Sequence, residues 1–246
     1  MKILINGVCG RMGSELLKIV KSGYCGATLA AGVDINAGSG DFYTSLYDVN
    51  ESADCLIDFS HHSCTSDILK YAVERNLPVV IATTGHTAEE LKMMESASEK
   101  IPLFHSANMS LGVALLLELA KTAAKTIPDA DIEIIETHHN RKEDAPSGTA
   151  LMIANALKTV RETAKLVFGR YGSAKREKGE IGIHAVRLGN IVGKHEVILG
   201  TDTQTITISH ECHTRSVFAE GAVNAAAFLI GKPAGMYDMQ SMIVNS

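Results

Sequence analysis

The stretch ETHHNRKEDAPSGTA, residues 136–150, sets His138, His139, Arg141 and Lys142 close together and follows them with Asp144, Pro146, Ser147, Gly148 and Thr149. Imidazoles titrate near neutral pH and can give or orient a proton. The Lys142 ammonium is a compact point charge for an anion. Asp144, Pro146 and Ser147, ahead of an apolar run, together make a helix N-terminal signal. Gly148 and Thr149 then begin a helix, and a helix N-terminus binds anions through its open N–H groups and dipole. These residue types suit a carboxylate-bearing substrate that is protonated as it reacts. A polar loop with structural histidines remains an alternative on these residues alone. Neighbouring histidines on a strand point to opposite faces, and the segment has no HExxH spacing, so no metal is expected. Arg141 either adds positive field or is solvated, and Asp144 either caps the helix or orients Lys142.

A second constellation stands near the start. NGVCGRMG places Gly7, Gly10 and Gly13 at three-residue intervals between the apolar run KILIN (2–6) and the amphipathic RMGSELLKIVKSG (11–23). Glycine there permits a tight turn and lets a pyrophosphate approach the backbone at the helix start. Cys9 occupies the position of the second glycine in the usual GxGxxG order. Asp34 ends the second strand, where a carboxylate accepts hydrogen bonds from adenosine ribose hydroxyls. No Arg or Lys follows it in DINAGSG, and Arg11 is the nearby cation. The expected cofactor is therefore NADH and/or NADPH, with NADH favoured. ATTG (82–85) and DFSHHS (58–63) end two further strands in the layer where open α/β sheets bind ligands. His61 and His62 there either line the crevice or are solvated.

Elements that position these residues follow from apolar periodicity. Strand-like runs at 2–6, 27–34, 55–60, 78–85 and 102–106 alternate with helical runs at 11–23, 66–76 and 87–99. That alternation predicts a doubly wound parallel sheet covered on both faces. The pattern then changes: a helix over 111–126, the alternating strand DIEIIETHH (131–139), a helix over 147–164 and a charged loop over 169–182. Strands are expected at 183–189, 195–201 and 203–212, with hairpin turns at Asn190 and Asp202. Strands in series predict a second domain with an antiparallel or mixed sheet. The helical SVFAEGAVNAAAFLIG (216–231) closes that domain or returns to the first.

Composition bounds the function class. Hydrophobic residues make up 46% and charged residues 21% of 246, the balance of a globular chain with a sizeable core. The net charge of -5 argues against a nucleic-acid partner. Cys9, Cys25, Cys55, Cys64 and Cys212 are odd in number without CxxC spacing, so reduced thiols of a cytoplasmic protein are expected. Neither a signal peptide nor a membrane span of about 18 apolar residues is expected.

Glu136, His138, His139, Lys142, Asp144, Pro146, Ser147, Gly148, Thr149 and Ala150 form an unbroken E-x-H-H-x-x-K-x-D-x-P-S-G-T-A pattern. On it the chain resembles the 4-hydroxy-tetrahydrodipicolinate reductases, also called dihydrodipicolinate reductases. The resemblance extends through GVCGRMG, IDFS, ATTG, ANMSLGV (107–113), RLGNIVGKHEV (187–197) and RSVFAEGAV (215–223). It implies a Rossmann-type dinucleotide domain over 1–108 with 216–246. Inserted in it over 109–215 is an α+β substrate and tetramerisation domain with a mixed sheet. The implied protein is a cytoplasmic homotetramer that reduces a cyclic dicarboxylate, 4-hydroxy-tetrahydrodipicolinate, to tetrahydrodipicolinate in lysine and diaminopimelate biosynthesis.

Carried over position by position, the resemblance makes His138 the proton donor and Lys142 the cation facing the ring nitrogen and a carboxylate. His139, Ser147, Gly148 and Thr149 become substrate contacts. The cofactor side takes Gly7, Cys9, Gly10, Arg11, Met12, Gly13, Asp34, Phe59, Ala82, Thr83, Thr84, Ala107, Asn108 and Met109. Ala82 stands where many members have glycine, and DFSHHS lacks the proline that many carry. Both departures bear on cofactor preference more than on the reaction.

Overall fold

The computed structural model describes residues 1–38 and 40–244. The chain divides into two compact units: Met1–Ser110 with the stretch from Arg215 onward, and Leu111–Thr214. Among the described residues, no helix is long and apolar enough to cross a membrane.

In the first unit, strands β1 (Lys2–Asn6), β2 (Thr28–Val33), β3 (Cys55–Asp58), β4 (Val79–Ile81) and β5 (Pro102–His105) alternate with helices α1 (Arg11–Lys21), α2 (Thr65–Glu74) and α3 (Ala88–Ser98). The strands pair in parallel. Because helices cover both faces, consecutive side chains of one strand are apolar and buried, as in Ile3, Leu4 and Ile5 or Val79, Val80 and Ile81. Helix α1 buries Gly13, Leu16 and Val20, its sheet-facing stripe.

Helix α3 begins with a capping box. The Thr87 side chain accepts from Glu90 N, and the Glu90 side chain accepts from Thr87 N. Thr87→Ala is expected to cost about 1 kcal/mol, read as a lowered melting temperature against the parent chain.

The second unit comprises α4 (Leu111–Thr126), β6 (Asp131–His138), α5 (Gly148–Lys158), β7 (Lys165–Phe168), β8 (Glu180–Arg187), β9 (Gly193–Gly200) and β10 (Thr205–Cys212). Its sheet runs β10-β9-β6-β8-β7. β6 pairs with β8 in parallel and with β9 antiparallel, so the sheet is mixed. Ile132, Ile134, Ile181, Ile183, Val197 and Leu199 form its core with apolar residues of α4 and α5. Period-two alternation keeps Ile132, Ile134, Glu136 and His138 on the buried side of β6. An apolar face thus ends in two ionisable side chains at the carboxyl end of the strand.

Three expectations change here. The Asp202 turn does join a hairpin, with Thr201 N donating to Gln204 O and β9 antiparallel to β10. Asn190 does not, because β6 lies between β8 and β9, and the connection crosses its end, with Leu188 N donating to His138 O. Helix α5 stops at Lys158 rather than Ala164; the following turn is held by Arg161 donating to Ile127 O. That frees residues 165–168 for the edge strand β7, while β8 starts at Glu180 rather than Ile183.

Helix α6 (Ser216–Leu229), strand β11 (Gly235–Tyr237) and helix α7 (Met239–Val244) belong to the first unit. α6 packs on α1 and on β3, β4 and β5. β11 pairs with β5, giving the order β11-β5-β4-β3-β1-β2. Three residues of strand carry too little periodicity to be seen in sequence.

Candidate active site

In the second unit, β6 ends at His138, and residues 139–147 lead into α5. The register of the sheet sets His138 opposite Arg187 and Glu136 opposite His195. Glu136 is fully buried. One carboxylate oxygen lies 2.6 Å from His138 Nδ1. Arg187 donates to both oxygens from Nη1 and Nη2 at 2.9 Å each. The Ser147 amide donates to the second oxygen at 2.9 Å. Burial alone would push this carboxyl up, but the bonds from His138, Arg187 and Ser147 prevail and hold it down to about 2.

A carboxylate so held only accepts, which assigns the proton on His138 to Nδ1 and leaves Nε2 as the exchanging nitrogen. The His138 ring meets the His195 ring edge-on, 5.2 Å between centroids. A Cβ on Gly193 would come within 3.0 Å of His138 Nε2, so glycine leaves room for this ring. His195 is buried, and burial, with the nearby His138, lowers it to about 4. It therefore stays neutral at ordinary pH, its Nε2 3.2 Å from Ser147 Oγ.

Ser147 is the N-cap of α5, accepting from Ala150 N. Asp144 is not the cap: its carboxylate pairs with Lys142 Nζ at 2.8 Å, and that contact lowers its carboxyl. Arg187 also donates to the Asp144 carbonyl. Arg141 donates to Asn190 and Asn140 at the surface. His139 and Thr149 are half-buried and Gly148 exposed at the first turn of α5. Imidazole, ammonium and helix start thus belong to one hydrogen-bonded assembly, able to bind an anion and to give it a proton. Glu136, Arg187 and His195 received no role from sequence. The signal was present for Glu136, since alternation places it on the core face, where a carboxylate needs a cationic partner.

In the first unit, the glycine turn after β1 fits a dinucleotide. Gly7 has φ +80°, and a Cβ there would lie 2.8 Å from the Phe59 and Ser60 backbone. A Cβ on Gly13 would lie 1.9 Å from Gly7 O. Gly10, the α1 N-cap, donates to Gly7 O at 3.0 Å, and Arg11 and Met12 open the helix. Cys9 is exposed, so a side chain in the usual glycine position meets no crowding. Its thiol is pushed up by partial desolvation against the turn and by the Asp34 carboxylate. Asp34 accepts from Cys9 N at 3.0 Å and Asn36 N at 2.9 Å, which braces the turn against the end of β2.

Buried Asp58 ties the neighbouring strand ends, accepting from Asn6, Ser60 and Thr83. The Thr83 hydroxyl therefore points at Asp58. Ala82 is buried and Thr84 exposed. Ala107 is exposed, Asn108 half-buried and Met109 buried. His62 Nδ1 lies 2.9 Å from Glu90, and the His61 and His62 ring centroids are 4.2 Å apart with their planes tilted; His62, opening the short helical turn ahead of α2, thus has a carboxylate partner.

The dihydrodipicolinate reductase family model matches in both parts, the N-terminus over residues 1–109 and the C-terminus over 112–243. A 4-hydroxy-tetrahydrodipicolinate reductase of Caldanaerobacter subterraneus subsp. tengcongensis is 49% identical over 247 residues, 99% of this chain and 98% of that protein. The Clostridium tetani reductase of the same name is 42% identical over 248 residues, 99% and 97% of the two chains. The structure described as dipicolinate-bound dihydrodipicolinate reductase from Paenisporosarcina sp. TG-14 shares the fold, with a TM-score of 0.81 at 24% identity over 99% of each chain.

Proposed function

The chain belongs to the dihydrodipicolinate reductase family, and from that membership we propose that it reduces 4-hydroxy-tetrahydrodipicolinate to tetrahydrodipicolinate in lysine and diaminopimelate biosynthesis. The overall change removes water and adds a hydride and a proton. When bound, the reduced nicotinamide supplies the hydride. His138 delivers the proton from Nε2, while Glu136 retains Nδ1–H. Lys142 and the first turn of α5, with Ser147, Gly148, Thr149 and His139, hold the substrate carboxylates and offset charge on the ring. The observation that carries this reading is the ionised, fully buried Glu136 fixing a histidine beside a helix start.

The first unit binds the dinucleotide through Gly7, Cys9, Gly10, Arg11, Met12 and Gly13, with Phe59, Ala82, Thr83, Thr84, Ala107, Asn108 and Met109 lining the neighbouring strand ends. Asp34 selects NADH: its carboxylate suits ribose hydroxyls and repels a 2′-phosphate. The second unit binds substrate, and its sheet, with Val186, Leu188 and Ile206 exposed, supports assembly to a homotetramer. The reduced cysteines suit a cytoplasmic enzyme.

The test follows NADH and then NADPH oxidation with the dicarboxylate generated in situ from pyruvate and aspartate semialdehyde. Oxidation that depends on the generated substrate is expected, with NADH the better donor and Asp34→Ser narrowing the difference. Protein that binds NADH yet oxidises none of it would overturn the reading.

A further inference from the structure

We propose that the Glu136–Arg187 pair is the positioning unit of this site, one buried carboxylate holding the His138 ring and the start of α5 in fixed relation. The inference rests on His138 being the proton donor. A carboxylate has about four lone-pair positions, and Glu136 uses two bonds on each oxygen. Oε2 receives His138 and Arg187 Nη1, and Oε1 receives Ser147 N and Arg187 Nη2. With that capacity filled and no exposed surface, Glu136 has nothing left to offer substrate. It acts through what it holds.

The three held parts come from separate elements: β6, the α5 N-cap and β8. Arg187 extends the unit to a fourth, donating to the Asp144 carbonyl of the loop that carries Lys142. A proton donor and an anion-binding turn must keep their spacing for one substrate to meet both, and small misplacements are costly in rate. A neutral amide at position 136 would face three donors and could no longer hold Nδ1–H against the alternative tautomer.

The charged and titratable groups packed about the His138 ring are Glu136 on its own strand, Arg187 opposite it on β8 and His195 on β9. Of these, Glu136 is the anion in contact with the ring. Its removal releases both the ring and the start of α5, so kcat should fall and the substrate KM should rise together.

The experiment compares Glu136→Gln, His138→Gln and the double variant, with NADH affinity, kcat and the substrate KM read for each. Glu136→Gln should lower kcat by about 10²–10⁴-fold with NADH affinity unchanged. The double variant should lose no more kcat than His138→Gln alone, because the carboxylate serves the proton step through the ring, while the rise in substrate KM from the freed α5 start persists. Losses of kcat that multiply, or a substrate KM that does not rise, would overturn the positioning role. Should Glu136→Gln fail to fold, Arg187→Lys, which keeps the charge and loses the paired geometry, must give a smaller loss that likewise vanishes in the His138→Gln background. A His138→Gln enzyme with parental turnover would instead refute the proton-donor assignment beneath the proposal.

Discussion

Replacing His138 with Gln is expected to lower kcat by about 10²–10⁴-fold while NADH still binds. Gln keeps an amide that can bond Glu136, so the buried carboxylate loses a partner only in part, but an amide cannot act as a general acid at the Nε2 position. The ring sits among its neighbours without sealing the core: it is 9% exposed, where Glu136 is 0% exposed. Folding should therefore change little. The loss belongs to the step that takes up a proton, so kcat falls more than the substrate KM rises. Steady-state kinetics with NADH titration separates the two, and unchanged turnover would remove His138 from the chemistry.

Gly13→Ala should have the other large effect, on the first unit. The new Cβ would stand 1.9 Å from Gly7 O and 2.8 Å from Val8 Cα. Both are backbone, so no side-chain rotation relieves the clash; α1 must move away from the glycine turn. Overpacking of this kind costs about 1–3 kcal/mol and sometimes more, and the turn that cradles a pyrophosphate moves with the helix. We expect a lowered melting temperature together with at least a tenfold weaker NADH affinity, measured by calorimetry. Gly200→Ala is the matched control, since its Cβ meets nothing within 4 Å, and it should change neither quantity. Parental NADH affinity in Gly13→Ala would mean the turn does not shape the cofactor site.

Where local pattern carries the information, the sequence was readable. The glycine turn, the helix start signalled by Asp144, Pro146 and Ser147, and the alternation along β6 depend on residues within a few positions of one another, and each stands as expected. Lys142 and Asp144 were legible as a polar pair but not in their relation. The structure assigns Ser147 as the cap and leaves Asp144 for the lysine. Asn190 shows the limit of turn chemistry: residues beside a glycine mark where a chain bends, not which strands lie side by side afterwards.

What the sequence by itself determined, then, is the set of chemical groups and the local elements that carry them, because propensity, capping and periodicity act within a turn or two. What only the tertiary structure decided is the partner of the buried carboxylate. Arg187 lies 51 positions from Glu136, and His195 lies 48 from Ser147. They meet because β6 is the strand shared by β8 and β9. That register is set by packing Ile132, Ile134, Ile183 and Val197 against α4 and α5. The burial of one sheet face, rather than any motif, brings an arginine to the one carboxylate that orients the histidine.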